Sequence, residues 1–308
     1  MNRALLKRGD RVGIVATGFA APPKVIGAGI AVLERRGLVP VVFPHLLARD
    51  GYFAGDDAAR ASDLDAAERD KALAAIWFAR GGYGTARILD LIDLPRLVRQ
   101  PKLLLGYSDL TALFATLLSR TNTVCLHAPF VVELGFPEAF DRKSLAATLA
   151  GRATTRRIGA ADVLRAGSAR GRLMGGNLTV LVHLLGTRHM PDLRGSILFL
   201  EEIGEEAYRL DRLLQHLRMS GALAGVRAVV VGMLGVPKTK RTFPADREAD
   251  AVLRDHLLPL GVPVIRGIPS GHGPGKWTLP LGGLASLDTK AGKITFDPRP
   301  APRPSRKG

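Results

Sequence analysis

The first half of the chain alternates short apolar runs with segments of helical periodicity, and this alternation constrains the fold more than any other feature. Apolar runs that stop at glycine or proline are typical of buried strands, whereas apolar residues that repeat with the helical period indicate amphipathic helices. Such an alternation predicts an α/β fold with a doubly wound, mostly parallel sheet. The predicted strands are 11–18, 39–44, 75–80, 102–106 and 123–129, and the predicted helices are 25–36, 63–75, 85–91 and 108–119.

The second half has a different texture, which begins near residue 150. Residues 151–170 are polar, basic and rich in small side chains, as is typical of a linker. We therefore expect an N-terminal domain over 1–150, a linker over 151–170, a C-terminal mixed α/β domain over 171–297 and a disordered tail over 298–308. The patterns behind the second domain are strands at 196–202, 226–234, 262–269 and 294–298 and helices at 208–223 and 246–257.

The charge balance narrows the classes of ligand. The 308 residues include 44 Lys and Arg against 28 Asp and Glu, so the net charge is +16 and the isoelectric point is about 10.7. This balance indicates an acidic partner, either nucleic acid or small carboxylate-rich molecules, or simply an arginine-rich surface. Because the basic residues are scattered and no nucleic-acid-binding motif occurs, nucleic acid is the less favoured partner.

Cysteine usage and hydropathy favour a soluble chain without a metal site. Cys125 is the one cysteine, which rules out an internal disulfide and a cysteine-based metal site. No run of 18 apolar residues occurs, and charges between Lys7 and Arg11 interrupt what would be the apolar part of a signal peptide. We expect a cytoplasmic protein that has no membrane span and uses no cofactor.

Glycine-rich turns give weak support for nucleotide binding. The turn from Gly81 to Gly84 is a backbone nest that could bind a carboxylate or an oxyanion, but it lacks the spacing of a phosphate-binding loop. The stretch that begins at Gly27 also fails the dinucleotide-binding pattern, because Val32 takes the place of its last glycine. The nest is therefore a better candidate for an anion of the substrate than for a nucleotide.

The stretch Gly-Tyr-Ser-Asp-Leu places Ser108 and Asp109 where a predicted strand gives way to a helix. A serine at such a turn can project its hydroxyl clear of the sheet, and the backbone N–H groups that follow favour negative charge. Gly106 fits the esterase pattern G-x-S-x-G, but Leu110 replaces its second glycine. Ser108 is therefore either a nucleophile, or it or Asp109 caps the helix that follows.

A serine nucleophile needs a histidine base and an acid that orients it. Gly271 and Gly273 flank His272 and could let the backbone present the ring closely, although an exposed histidine in a flexible loop would look the same. Glu201 and Glu202 close an apolar strand on opposite faces, so one of them can point into a given cleft. The other six histidines are His45 and His127 after strands, His189 in a loop, and His183, His216 and His256 in helical patterns.

Six stretches in a fixed order resemble the LD-carboxypeptidase family of serine peptidases, which includes muramoyltetrapeptide carboxypeptidase and the microcin-C immunity peptidase. The resemblance spans about residues 12 to 288 and implies a doubly wound N-terminal domain, a C-terminal domain of mixed strands and helices, and a homodimer. The stretches are RGGYGTARILDLID, LLLGYSDLTALF, HAPF, GGNLTVLVHLLGT, ILFLEEIGEEAYRLDRLLQHLR and GIPSGHGPGKWTLPLG.

The same resemblance implies the roles of three side chains. Ser108 would be the nucleophile, His272 the base and Glu201 the acid that orients the base. The serine would come from the first domain, and the other two residues from the second.

The resemblance also implies the surroundings of these side chains. The backbone of Gly82 and of Asp109 would form the oxyanion hole, and Asn177 would lie close to the site. Lys276 and Trp277 occupy a loop that often differs among members, which bears on the substrate more than on the mechanism.

The activity that the resemblance implies is removal of the C-terminal D-alanine from murein tetrapeptides through an acyl-enzyme, as in peptidoglycan recycling. Such peptides carry several carboxylates, which agrees with the net charge of +16. An arginine or a polar residue near Gly81 to Gly84 would hold the terminal carboxylate.

One alternative function is that of an immunity-type peptidase that cleaves peptidyl- or aminoacyl-adenylates, with Trp277 as a platform for the nucleotide base. The other is a basic nucleic-acid-binding module without catalysis, which predicts steeply salt-dependent binding.

Overall fold

The computed structural model describes residues 4–235 and 248–302, and these residues form two β-sheets with flanking helices. The strands are β1 (Arg11–Val15), β2 (Val39–Val42), β3 (Leu73–Phe78), β4 (Leu103–Gly106), β5 (Cys125–His127), β6 (Thr154–Arg157), β7 (Val163–Arg165), β8 (Ser168–Asn177), β9 (Ser196–Ile203), β10 (Ala228–Gly235), β11 (Val264–Ile265), β12 (Leu279–Leu281), β13 (Gly283–Asp288) and β14 (Lys293–Pro300). The helices are α1 (Pro23–Arg35), α2 (Asp57–Arg69), α3 (Thr85–Ile88), α4 (Leu94–Arg99), α5 (Thr111–Leu118), α6 (Arg142–Leu149), α7 (Leu178–His183), α8 (Ala207–Met219) and α9 (Ala249–Leu257).

The first sheet has six strands in the order β2-β1-β3-β4-β5-β12. The first five are parallel, and β12 pairs antiparallel with β5. Five of the six residues of β3 are buried, as expected for a central strand of a parallel sheet that is covered on both faces. This sheet confirms the predicted fold class of the N-terminal half.

The second sheet has eight strands in the order β6-β14-β13-β8-β9-β10-β11-β7. Its centre, from β8 to β11, is parallel. The strands towards both ends are antiparallel to their neighbours. This combination confirms the predicted mixed α/β architecture of the C-terminal half.

Buried contacts join the two halves. Phe114 of α5 and Leu198 of β9 belong to one hydrophobic cluster. The buried guanidinium of Arg172 in β8 donates to the carbonyl oxygens of Leu118 and Thr121, each at 2.8 Å. Because β12 also carries residues of the second half into the first sheet, the strand ends of both sheets are fixed relative to one another.

The structure corrects the predicted linker over 151–170. This segment contains β6 and β7, which lie at opposite ends of the eight-stranded sheet, and the start of β8. Edge strands bury less of their surface and tolerate charged side chains, so their composition resembles that of a linker. The division of the chain into two domains at this point stays a prediction.

Several other boundaries also differ from the sequence prediction. The helix expected over 63–75 is α2, which begins earlier because the Asp56 side chain accepts from Ala59 N at 2.7 Å and caps it. The disordered tail was expected from residue 298, but β14 continues to Pro300, where it still pairs with β13. Residues 303–308 of the expected tail lie outside the described residues. The helix expected over 246–257 begins at Ala249, and its first two predicted residues are also outside.

Candidate active site

Ser108 lies directly beyond β4, in a short 3-10 turn (Ser108–Leu110) that leads into α5. Its φ is +57°, and within 4–235 and 248–302 it is the one non-glycine residue with a positive φ. A serine in the left-handed region is strained, and such strain is concentrated at functional sites. No side chain caps the 3-10 turn or α5, so the capping interpretation of Ser108 does not describe this turn.

Three side chains that are far apart in the sequence form one hydrogen-bonded chain. His272 Nε2 lies 2.9 Å from Ser108 Oγ, and His272 Nδ1 lies 2.7 Å from Glu201 Oε2. Ser108 follows β4, Glu201 lies in β9, and His272 lies in the loop between β11 and β12. The imidazole can therefore take a proton from the hydroxyl while the carboxylate fixes the other ring nitrogen.

Gly271 explains how the His272 loop approaches the acid so closely. Its φ is +133°, and a Cβ atom at this position would lie 3.0 Å from Glu201 Oε2. A larger residue would therefore strain the backbone and displace the carboxylate from the ring that it orients.

Glu201 is fully buried, and its environment favours the charged form. Burial alone would raise the pKa of Glu201, but the imidazoles of His127 and His272 outweigh burial and lower it to about 2. The carboxylate is therefore ionised at neutral pH and can stabilise an imidazolium at His272.

Glu202 points to the opposite face of β9, as strand alternation predicts. Its carboxylate accepts from Thr179 N at 2.7 Å, near the start of α7, and from Ile203 N at 2.8 Å. Asn177 Nδ2 donates to Glu202 Oε1 at 3.3 Å, while Asn177 Oδ1 accepts from Val180 N at 3.1 Å and caps α7. The structure thus places Asn177 with Glu202.

The glycine-rich turn after β3 lies against Ser108. A Cβ atom at Gly81 would lie 3.3 Å from Ser108 Cβ. Gly82 has φ of +106°, and a Cβ atom there would lie 2.3 Å from the Phe19 ring, so this position requires glycine. The turn therefore places its backbone at Gly81 beside the serine.

The carboxylate of Asp109 holds the glycine turn from Gly81 to Gly84 in place, a role that the sequence did not reveal. Asp109 Oδ2 accepts from Thr85 N at 2.8 Å and from Thr85 Oγ1 at 2.7 Å. Burial raises the pKa of Asp109, while hydrogen bonds from Thr85 and Gly84 oppose that rise. The position of Thr85 at the start of a predicted helix could have indicated this role, because the first N–H groups of a helix need a hydrogen-bond acceptor from outside the helix.

We expect Asp109→Ala to lower kcat about 10- to 100-fold, because the glycine turn would lose its tie to Ser108. The free energy of unfolding should fall by about 1 to 3 kcal/mol, since the buried N–H of Thr85 loses its acceptor. Steady-state kinetics and thermal denaturation measure the two effects. Thr85→Val removes one of the two bonds and should show smaller effects; an unchanged kcat in Asp109→Ala would contradict the role.

Lys276 and Trp277 anchor the loop that carries His272. Lys276 is buried and forms an ion pair with Glu133, which also accepts from Tyr107 OH at 2.9 Å. The Arg156 guanidinium lies 4.9 Å from the centre of the Trp277 ring and covers one of its faces. Both side chains are thus engaged within the protein, which weakens the expectation that Trp277 is a stacking platform.

Three of the other histidines pair with acids elsewhere. His45 contacts Asp63 at 2.8 Å, His256 contacts Asp211 at 2.8 Å, and His189 lies 3.4 Å from Asp90. Within the described ranges, no group of three or more His, Cys, Asp or Glu side chains could hold a metal ion. Over the same residues, no helix is both long and apolar enough to cross a bilayer.

A serine, a histidine and a buried carboxylate in one hydrogen-bonded chain at the strand ends of an α/β fold are the arrangement of serine hydrolases. Two family models match the chain: the LD-carboxypeptidase N-terminal domain over residues 12–128 and the LD-carboxypeptidase C-terminal domain over residues 170–287.

Individual relatives match over nearly the whole chain. A putative carboxypeptidase of Streptomyces coelicolor is 41% identical over 305 residues, which cover 97% of this chain and 96% of the relative. The crystal structure of muramoyltetrapeptide carboxypeptidase from Oxalobacter formigenes is 32% identical, with a TM-score of 0.83 and coverage of 93% of this chain and 98% of that chain. The microcin C7 self-immunity protein of Escherichia coli is 25% identical over 322 residues, which cover 92% of both proteins.

The chain therefore belongs to the LD-carboxypeptidase family. It is a hydrolase of the serine type.

Proposed function

We propose that this enzyme removes the C-terminal D-alanine from murein tetrapeptides by acyl transfer to Ser108. The observation that carries the proposal is the placement of His272 between Ser108 Oγ and Glu201 Oε2, at 2.9 and 2.7 Å. The substrate class is supported by the similarity to the muramoyltetrapeptide carboxypeptidase of Oxalobacter formigenes.

In the acylation step, Ser108 Oγ attacks the carbonyl carbon of the last peptide bond while His272 Nε2 takes the hydroxyl proton. The C–N bond then breaks, and His272 gives that proton to the amine of the departing D-alanine. In deacylation, water attacks the ester carbonyl, His272 takes a proton from the water, and Ser108 regains its own. Glu201 keeps Nδ1 protonated and stabilises the imidazolium in both steps.

The tetrahedral oxyanion would be held by the backbone N–H groups of Gly82 and Asp109. Gly81, which directly precedes Gly82, lies against Ser108, and Asp109 directly follows the serine in the 3-10 turn. Two fixed donors cost no reorganisation when the charge develops, and one such donor typically contributes about 100- to 1000-fold in rate.

Arg80 is our candidate for the residue that binds the terminal carboxylate. It directly precedes the glycine turn, its Nη1 donates to the Ala20 carbonyl oxygen at 2.7 Å, and its guanidinium lies 5.8 Å from the centre of the Phe19 ring. Within 4–235 and 248–302 it forms no ion pair with a carboxylate, so its charge is available to an anionic substrate.

We expect Arg80→Gln to raise KM about 10- to 100-fold, with a smaller change in kcat, because a charge-assisted hydrogen bond to the substrate is lost. Arg80→Lys is the matched control: it keeps the charge but loses the two-pronged geometry, so its KM should lie between those of the wild type and Arg80→Gln. Equal KM values in all three proteins would assign the carboxylate to another residue.

The direct test is release of D-alanine from purified murein tetrapeptide. A pentapeptide that ends in D-alanyl-D-alanine is the matched control, since its last bond joins two D-residues, and we expect it to remain intact. Failure to release D-alanine from the tetrapeptide would contradict the proposed substrate.

The second candidate is cleavage of aminoacyl- or peptidyl-adenylates, favoured by the similarity to the microcin C7 self-immunity protein. An aminoacyl-adenylate analogue assayed beside the tetrapeptide separates the two activities. The covered face of Trp277 makes us favour the tetrapeptide. If the chain were instead a non-catalytic nucleic-acid-binding module, it would cleave neither substrate. It would bind DNA or RNA, and this binding would weaken steeply with salt.

We further propose that the enzyme is a homodimer, as the family resemblance implies, and that it acts in the cytoplasm. Sedimentation equilibrium of the purified chain would give twice the monomer mass of 32.9 kDa. A monomer mass at micromolar concentration would contradict the dimer.

A further inference from the structure

His127 is a buried histidine that the proposed mechanism does not use. It ends β5, where it pairs with Gly106 of β4 and with Leu279 of β12. Its side chain is 1% exposed, and His127 Nε2 lies 4.0 Å from Glu201 Oε1. Within the described part of the chain, neither of these two atoms has a hydrogen-bond partner. Two orphaned polar atoms therefore face each other beside the triad.

The protonation of the other ring nitrogen follows from its hydrogen bonds. Ser270 Oγ donates its one proton to the carbonyl oxygen of Trp277 at 2.9 Å. Ser270 Oγ also lies 3.2 Å from His127 Nδ1. Because its proton is already used, Ser270 Oγ can only accept a hydrogen bond from His127 Nδ1. His127 Nδ1 thus carries a proton, whatever the state of Nε2.

The surroundings of the ring leave Glu201 as the carboxylate that His127 faces. The Tyr107 and Phe199 rings flank it, with centroids at 5.1 and 5.2 Å. His272 lies beyond Glu201, the Lys276 ammonium lies 5.0 Å from the centre of the Tyr107 ring, and Glu133 accepts from the Tyr107 hydroxyl. If Nε2 carried a lone pair, it would point at a buried carboxylate oxygen and leave both atoms unsatisfied.

We propose that His127 is a cationic positioning residue, whose Nε2–H faces Glu201 Oε1 while His272 occupies Oε2. Each carboxylate oxygen of Glu201 then faces a different imidazole. Ser270 fixes the His127 ring, whereas the His272 ring is free to exchange a proton with Ser108. This inference rests on the proposed roles of Ser108, His272 and Glu201.

A positive charge at His127 has a measurable consequence for the base. It offsets part of the negative charge that His272 senses from Glu201, so a proton on His272 is held less tightly. The active form, with neutral His272, is therefore populated at lower pH. Removal of the charge at His127 should move the acidic limb of the rate profile to higher pH.

The first experiment measures the rate at which a fluorophosphonate modifies Ser108 as a function of pH. We expect His127→Gln to raise the midpoint of the acidic limb by about one pH unit, because the nearby positive charge is lost. His183→Gln, at the exposed end of α7, is the matched control and should keep the wild-type midpoint. An unchanged or lowered midpoint in a folded His127→Gln protein overturns the inference.

The second experiment needs no reaction at Ser108 and no variant. The ¹⁵N resonances of the histidine side chains in the wild-type protein, with His127 assigned, report the protonation of each ring nitrogen at neutral pH. Protons on both nitrogens of His127 support the proposal, and an unprotonated Nε2 overturns it. Absence of labelling at Ser108 in the wild type would instead contradict the proposed function, so the two failures are distinguishable.

Discussion

Ser108→Ala lowers kcat for D-alanine release by roughly 10⁴- to 10⁶-fold and leaves KM nearly unchanged, if Ser108 is the nucleophile. The alanine cannot form an acyl-enzyme, and the remaining acid and base have nothing to activate except water. Release of D-alanine from murein tetrapeptide, followed against time at several substrate concentrations, measures both constants. Ser119→Ala, at the end of α5, is the matched control and should keep wild-type kinetics.

A second substitution separates the chemistry of Ser108 from the strain of its backbone. Ser108→Gly is as inactive as Ser108→Ala, but glycine adopts a φ of +57° without strain. Thermal denaturation should therefore show the glycine protein to be more stable than the alanine protein by about 1 kcal/mol. Substantial activity in either variant would exclude Ser108 as the nucleophile, whatever their stabilities.

Glu201→Gln is expected to lower kcat about 10³- to 10⁴-fold. Glutamine is nearly isosteric, but its amide cannot stabilise an imidazolium and can favour the wrong tautomer of His272. Because the pKa of Glu201 is lowered to about 2, the wild-type carboxylate stays charged throughout the neutral range, so the loss should be present at every pH from about 6 to 9.

Glu202→Gln is the matched control at the adjacent position. Glu202 accepts from backbone N–H groups of Thr179 and Ile203, so we expect a loss of about 1 to 2 kcal/mol in the free energy of unfolding. Its kcat should stay within about tenfold of the wild type. The reverse pattern, with activity lost in Glu202→Gln and kept in Glu201→Gln, would reassign the acid.

Local patterns in the sequence nominated the candidate residues, and the resemblance to the LD-carboxypeptidase family selected among them. Ser108 follows a strand and a glycine, His272 lies between two glycines, and Glu201 ends an apolar strand. The structure brings these three within hydrogen-bonding distance, while their catalytic roles stay predictions. The local pattern could not exclude Glu202 as the acid. Neighbouring residues of a strand point to opposite faces, and the sequence does not indicate which face lines the cleft.

The roles of Asp109 and Lys276 could not be read from their neighbours in the sequence. Asp109 was expected to contribute mainly its backbone N–H or to cap the helix that follows it, but its carboxylate binds Thr85 at the start of α3. Lys276 was expected to bear on the substrate, but it is buried against Glu133, 143 residues away along the chain. An ion pair between such distant segments depends on packing, which local periodicity does not encode.

The sequence by itself determined the α/β class and the alternation of strands and helices, because hydrophobic periodicity reflects which face of each element is buried. It also marked the backbone positions that need glycine around the site. The tertiary structure alone decided that 151–170 supplies two edge strands, that β12 crosses into the first sheet, and that His127 faces Glu201. Those outcomes depend on which distant surfaces meet, and on the need of buried polar groups for partners, which becomes visible only when the chain is folded.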